Sequence, residues 1–279
     1  MPDNLNSMRL LFIGDVVGRA GRAVVLEQVP RLRRDWALDF IIINGENSAG
    51  GFGITETICD DLLNAGADCV TLGNHAFDQR EALVFIERQP RLLRPANYPT
   101  GTPGRGAFLY EGTNGHRVLV MNAMGRSFMD PMDDPFAAVD RELAACPLGS
   151  GCDAFILDFH AETTSEKQAM GHHCDGRATL VVGTHTHIPT ADHQILSGGT
   201  GYLTDAGMTG DYDSVIGMEK EEPIRRFMQK TPGSRFEAAN GPATLCGLAA
   251  EIGANGLPTR IAPVRIGGRL EETRPAWWQ

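Results

Sequence analysis

Five apolar runs of strand length, each closing on residues of metal-ligating type, constrain this chain more than any other feature. Residues 9–13 lead into Gly14-Asp15, 40–44 into Gly45-Glu46-Asn47, and 69–72 into Gly73-Asn74-His75. Further on, 154–159 ends in His160, and 179–182 in Gly183-Thr184-His185-Thr186-His187. Helical spacing fills the intervals at 20–34, 55–65, about 79–89, 134–145 and 163–171. Thr55 offers an N-cap to the second of these helices and Gly66 a stop. Strands alternating with helices predict an α/β fold around buried sheets.

Beyond Pro90 the pattern changes. Residues 95–106 read as loop, and 107–111 with 117–123 read as strands joined by a hairpin turn, Thr-Asn-Gly-His. The stretches 194–204, 243–252 and 258–266 also read as strands, with tight turns at Gly198–Gly201 and Asn255-Gly256. Mixed sheets are therefore expected, as a two-sheet sandwich flanked by helices. No repeat or long polar linker divides the chain, so 1–279 is read as one domain. Residues 1–8 are expected to be flexible, and 206–235, rich in Gly, Met and charge, to form an excursion or an oligomer contact.

Lys and Arg number 25 against 35 Asp and Glu, a net charge of −10, which gives no field that would attract duplex nucleic acid. A small anionic substrate stays compatible, because a local metal outweighs the global field. The six cysteines, Cys59, Cys69, Cys146, Cys152, Cys174 and Cys246, form no C-x-x-C pair and read as small core residues. The apolar runs are too short to span a membrane and no signal-peptide pattern opens the chain, so a cytoplasmic location without membrane contact is expected.

Taken singly, a Gly-Asp or an Asn-His after a strand is ordinary turn chemistry. Taken together, five such ends are not, because the carboxyl ends of strands in an open α/β sheet share the edge where ligands bind. Two carboxylates, three histidines and an amide without thiolate suit Fe, Mn, Zn or Co better than Ca or Mg. That donor count exceeds the four ligands of one zinc, whereas a bridging carboxylate can join two ions about 3.5–4 Å apart. The H-x-H pair raises a difficulty, since an extended backbone points alternate side chains to opposite faces. The pair can still serve two neighbouring metals if the strand has ended and the backbone is turning, or if each ring reaches a different ion.

This set resembles the calcineurin-like metallophosphoesterase pattern of GD, GD/E, GNH, H and GHxH. The strings FIGDVVGRAGR, NGENSAGGFGIT, TLGNHAFD, DFHAETTSEK, VGTHTHIPTAD and YLTDAGMTGDYDSVIG resemble more closely its bacterial YmdB-type branch of cyclic-nucleotide phosphodiesterases, from about residue 9 to 267. The resemblance implies a four-layer αββα sandwich and a homo-oligomer. It also implies two metal ions, Fe or Mn first and Zn or Co after, with Asp15 and His187 on one, Asn74, His160 and His185 on the other, and Glu46 bridging. The D-x-H histidine of the wider superfamily is absent, for Asp15 is followed by Val16-Val17. Asn47 is then a substitute ligand or a hydrogen-bonding neighbour of the ligands. His75 is expected to contact the phosphate or protonate the leaving oxygen.

The expected activity is hydrolysis of small phosphodiesters, cyclic nucleotides of the 2′,3′ or 3′,5′ type, by hydroxide that the metals make available near neutral pH. A phosphomonoesterase or nucleotidase uses the same core, and a metal-bound regulatory module is the alternative from a different class. His116, His172, His173 and His193 sit in turns, at a helix end or at a strand start, where ordinary structural roles suffice. Glu162 and Lys167, near His160, fit either surface roles or support of the ligands. Gly50, Gly51 and Gly53 match no nucleotide fingerprint and read as a flexible loop.

Overall fold

A computed structural model describes residues 7–231 and 233–278. Four parallel strands, β1 (Met8–Ile13), β2 (Phe40–Asn44), β3 (Cys69–Thr71) and β4 (Leu92–Leu93), lie side by side in chain order. They are connected through α1 (Gly18–Asp35), α2 (Glu56–Asn64) and the short α3 (Ala82–Phe85). The second sheet has the order β5 (Ala107–Glu111), β6 (Arg117–Met124), β7 (Ala154–His160), β8 (Leu180–Thr184), then β10 (Gly201–Leu203) and β9 (Gln194–Ile195) at its edge. Helices α4 (Pro135–Ala145) and α5 (Thr164–His173) link its parallel strands. The chain then returns to the first sheet through β11 (Gly210–Asp211), α6 (Glu221–Gln229), β12 (Ala243–Ile252) and β13 (Pro258–Ile266), with β12 antiparallel to β1.

Period-two alternation builds the cores. Leu10, Phe12, Phe40 and Ile42 pack with Val120 and Ile156 in a core that joins the two sheets. Their neighbours Leu11, Ile13, Ile41 and Ile43 belong to a second core with Val25, Val29 and Leu62 of α1 and α2. Val139, Leu143 and Met170 of α4 and α5 form a third with Phe155, Leu157 and Phe159. Strands buried on both faces explain why β1 and β2 read as unbroken apolar runs. Each such side chain contributes roughly 1.5–3 kcal/mol on burial.

Local chemistry sets the element ends as expected at Thr55, whose side chain accepts from Ile58 N at 3.2 Å. The T-N-G-H hairpin also forms, pairing β5 with β6 antiparallel. The helix expected over about 79–89 shrinks to four residues, because the flanking turns close by i→i+3 bonds such as Ala82 N to Gln79 O. Tertiary contacts hold that segment instead: Gln79 Nε2 donates to Phe52 O and Glu81 Oε1 accepts from Glu56 N. The stretch 194–204 folds back on itself at Gly199 (φ 104°), inside the tight turn expected at 198–201, and forms the antiparallel pair β9 and β10. Of residues 1–8, positions 1–6 lie outside the described residues, and Met8 already pairs with Ile252. The 206–235 segment contributes β11 to the first sheet and then α6. All six cysteines are free, five of them buried. Among the described residues no helix is long and apolar enough to cross a membrane.

Candidate metal centre

The carboxyl ends of β1, β2, β3, β7 and β8 meet at one place. Gly73, after β3, lets them meet, since a Cβ there would overlap Glu46 Oε2 and His160 Nε2. Two clusters form around a shared carboxylate, Glu46 with His160 and His185, and Asp15 with Glu46 and His187. His160 Nε2 lies 3.1 Å from Glu46 Oε1, 2.8 Å from Asn74 Oδ1 and 3.0 Å from His185 Nδ1. In the second cluster His187 Nε2 is 4.0 Å from Asp15 Oδ1. The amide of Asn47 stands 3.0 Å from Glu46 Oε1 and 3.1 Å from His187 Nε2. A half-turn of that amide would bring its oxygen to the same point.

Each of the three imidazoles is tied on the side away from the centre. His160 Nδ1 donates to Thr184 Oγ1 at 2.9 Å, and that hydroxyl donates to Asp158 Oδ1 at 2.7 Å. His187 Nδ1 donates to Ile216 O at 2.8 Å, and His185 Nε2 reaches Glu162 Oε2 at 3.1 Å. These partners select the tautomer that leaves one ring nitrogen bare toward the centre in all three residues. Without a cation such a nitrogen pairs with a facing carboxylate only if the ring takes a second proton, as His160 does toward Glu46, whereas a cation satisfies the whole donor set.

Electrostatics and hydrogen bonding agree. Asp15 is fully buried, yet its Oδ1 has no hydrogen-bond partner. Burial pushes its pKa up despite the nearby His187 and His160. Burial also opposes charge on Glu46, but the charge and hydrogen bond of His160 outweigh it and hold the carboxyl below its usual range. His160 is raised above the usual imidazole value, with burial overcome chiefly by Glu46. Burial and the neighbouring His160 push His185 down to about 3. A buried carboxylate oxygen without a partner is strongly unfavourable unless a cation compensates it, so this donor set fits metal ions.

His75 stands beside the clusters. Its backbone N–H donates to Glu46 Oε2 at 3.2 Å, and its ring Nδ1 pairs with Asp78 Oδ2 at 2.8 Å. Its ring meets Phe52 edge-on at 5.1 Å, and both line a hollow of about 150 Å³ over the centre.

Comparison with known proteins shows the family and the fold. The model of the YmdB-like protein family matches residues 11–264. The chain belongs to the YmdB-like family. It is similar to a 2′,3′-cyclic-nucleotide 2′-phosphodiesterase of Bacillus subtilis, 50% identical over 88% of this chain and 91% of that protein. Among solved structures it is similar to a hypothetical protein from Thermus thermophilus, with a TM-score of 0.87 and 43% identity, covering 94% of this chain and 100% of the other. A novel phosphatase from Mycoplasma pneumoniae aligns with a TM-score of 0.86 and 34% identity over 94% of each chain.

In this YmdB-like chain the H-x-H difficulty resolves through backbone geometry. His185 (φ 92°) and His187 (φ 67°) both adopt left-handed conformations, so the backbone has left the strand and both rings turn toward the same site. Thr186 between them is clamped: its amide N–H and hydroxyl both donate to Asp205 Oδ2, which also receives Lys167 Nζ at 2.8 Å. Lys167 is 1% exposed, so this is a buried ion pair of α5 and not a surface lysine. Glu162, the other uncertain neighbour, supports His185. Of the remaining histidines, His173 pairs with Asp140 at 2.9 Å, and His116, His172 and His193 join neither cluster.

Sequence reasoning missed Thr184, Asp158, Asp205 and Phe52. The first two had a signal, since Asp158 shares a strand face with His160 two residues on, and Thr184 adjoins His185. Asp205 had none, because its partner Lys167 is 38 residues away.

Proposed function

We propose that this chain is a dinuclear-metal phosphodiesterase of small phosphodiesters, with nucleoside cyclic phosphates as its substrates. The observation that carries this reading is the pair of donor clusters sharing Glu46. Asp15, His187 and Asn47 would hold one ion, Asn74, His160 and His185 the other. We also take the two sheets, joined by one core and flanked by two others, as a four-layer αββα sandwich of the calcineurin-like kind. The similarity to a named 2′,3′-cyclic-nucleotide 2′-phosphodiesterase supports the substrate class.

Bound ions would supply positive charge to the phosphate oxygens and make hydroxide available near neutral pH. The chain's own residues do the rest. The fully buried carboxylates and the tied imidazoles would hold the ions in place, and through them set where the phosphate lies. His75, with Nδ1 engaged by Asp78, presents its other nitrogen to protonate the departing ester oxygen. For a 2′,3′-cyclic substrate, water oxygen bonds to phosphorus, the P–O2′ bond breaks, and O2′ takes the proton, leaving a nucleoside 3′-phosphate.

The test is product-resolved hydrolysis of 2′,3′- and 3′,5′-cyclic nucleotides by protein loaded with Fe or Mn, beside Glu46→Gln and with a phosphomonoester in parallel. Diester turnover that falls by about a thousandfold in the variant, the several kcal/mol a two-metal site supplies, upholds the reading. Faster monoester turnover would move the assignment to a phosphatase, the activity named for the Mycoplasma pneumoniae structure. Full metal content with no turnover of either ester would favour a regulatory module.

A further inference from the structure

The hollow over the metal centre is too small for a nucleotide. Its volume of about 150 Å³ falls short of the roughly 300–1,000 Å³ that small-molecule sites occupy. A phosphate and the sugar edge next to it fill such a space. The hollow is bounded on one side by Phe52 and Phe236, and the same two rings bound a second cavity of about 600 Å³. A ligand that extends from the hollow into this second cavity runs along both rings.

Both rings are braced. Phe52 sits in a Gly50-Gly51-Phe52-Gly53 turn whose three glycines are all left-handed, with φ of 68°, 101° and 75°, and its carbonyl accepts from Gln79 Nε2 at 2.7 Å. Phe236 carries the Arg226 guanidinium 3.9 Å from its ring centroid. Arg226 is itself neutralised by Glu222 at 2.6 Å. A base passing this pair finds aromatic surface, and stacking on such surface contributes about 1–3 kcal/mol per base.

Arg235 lines the second cavity but not the hollow. It has no hydrogen-bond or ion-pair partner among the described residues, in a chain whose net charge is −10. The one acidic side chain lining the same cavity, Asp78, is already paired with His75. The Arg235 side chain is exposed, and its guanidinium has the fork that takes a phosphate by two hydrogen bonds. The donor clusters and Arg235 thus line neighbouring cavities that share the two aromatic rings, as two successive phosphates joined by a ribose, with the base branching toward the rings, would require.

We propose that the second cavity binds the internucleotide phosphate of a short single-stranded oligonucleotide whose terminal cyclic phosphate lies on the metal centre. The preferred substrate is then a dinucleotide or longer end, with Arg235 as the residue that distinguishes it from a mononucleotide. This rests on the phosphodiesterase reading above.

The experiment compares KM for adenosine 2′,3′-cyclic phosphate with KM for a diadenosine dinucleotide ending in 2′,3′-cyclic phosphate, in the metal-loaded protein and in Arg235→Gln. The expected wild-type KM for the dinucleotide is about tenfold lower, as one charge-assisted phosphate contact provides. In Arg235→Gln the two KM values converge, and Arg235→Lys restores part of the difference. Equal KM values in the wild type, or a shift of both by the same factor in Arg235→Gln, would overturn the proposal. If neither compound is hydrolysed the phosphodiesterase reading falls, and calorimetry with the dinucleotide 3′-phosphate against adenosine 3′-phosphate decides the cavity. Tighter binding of the dinucleotide that Arg235→Gln abolishes upholds it; equal binding overturns it.

Discussion

The floor of the site and the wall facing it are built in opposite ways. On the floor, His160, Thr184 and Asp158 form a fully buried chain of hydrogen bonds, and Asp158 also receives Asn44 Nδ2 and Thr71 Oγ1 from the first sheet. Burial pushes the Asp158 carboxyl up to about 6, even with His160, Thr71 and Thr184 beside it favouring its charge. The wall rests on a glycine turn and on the segment around α6, where Phe227 and Met228 are 81% and 79% exposed. The groups that would hold metal ions are locked across both sheets. The groups proposed to meet the variable part of a substrate lie on loops, which tolerate change.

Five measurements would break or sharpen this contrast. The largest effect is expected on the floor, where Asp15→Asn should abolish ion binding in its cluster and lower turnover by about a thousandfold, read by metal analysis and kinetics together. Lys167→Met comes next, since it leaves Asp205 buried without its cation. A loss of about 3–5 kcal/mol in denaturant unfolding is expected, with substantial recovery in the Lys167→Met, Asp205→Asn double variant. Should the Lys167→Met protein keep full stability and metal content, the clamp on Thr186 has no positioning role.

Thr184→Val removes the acceptor that sets the His160 tautomer. Metal affinity should drop about 10–100-fold while the fold persists, as circular dichroism would show. Chelation of the wild-type protein should lower its melting temperature, because Asp15 and Glu46 are left buried without a cation; a site filled at a hundred times Kd contributes about 2.7 kcal/mol. The smallest effect belongs to the wall. Phe236→Ala should raise nucleotide KM several-fold with metal content unchanged and a stability change below about 1 kcal/mol. A Phe236→Ala protein that loses its metals would erase the distinction between floor and wall.

Much of this was legible in the chain itself. Strands buried on both faces leave a strong apolar signal, so β1, β2, β7 and β8 could be read closely, and with them the residues that follow their ends. Segments held by distant partners left weaker marks. The stretch near 79–89 has helical spacing, yet Gln79 and Glu81 bond to Phe52 and Glu56 and the helix stays at four residues. The 206–235 segment, read as an excursion, holds both a strand of the first sheet and the Ile216 carbonyl that orients His187.

What the sequence determined by itself is the alternation of strands and helices, and the placement of Asp15, Glu46, Asn74, His160, His185 and His187 at strand ends. Both follow from local rules of burial and chain direction, which act over a few residues. Only the tertiary structure decided that His185 and His187 turn left-handed, that Lys167 is buried on Asp205, and that Phe52 and Phe236 bound the same hollow. Each of these depends on groups far apart in the chain. Their energies come from desolvation and hydrogen bonding in a shared interior, which no window of sequence contains.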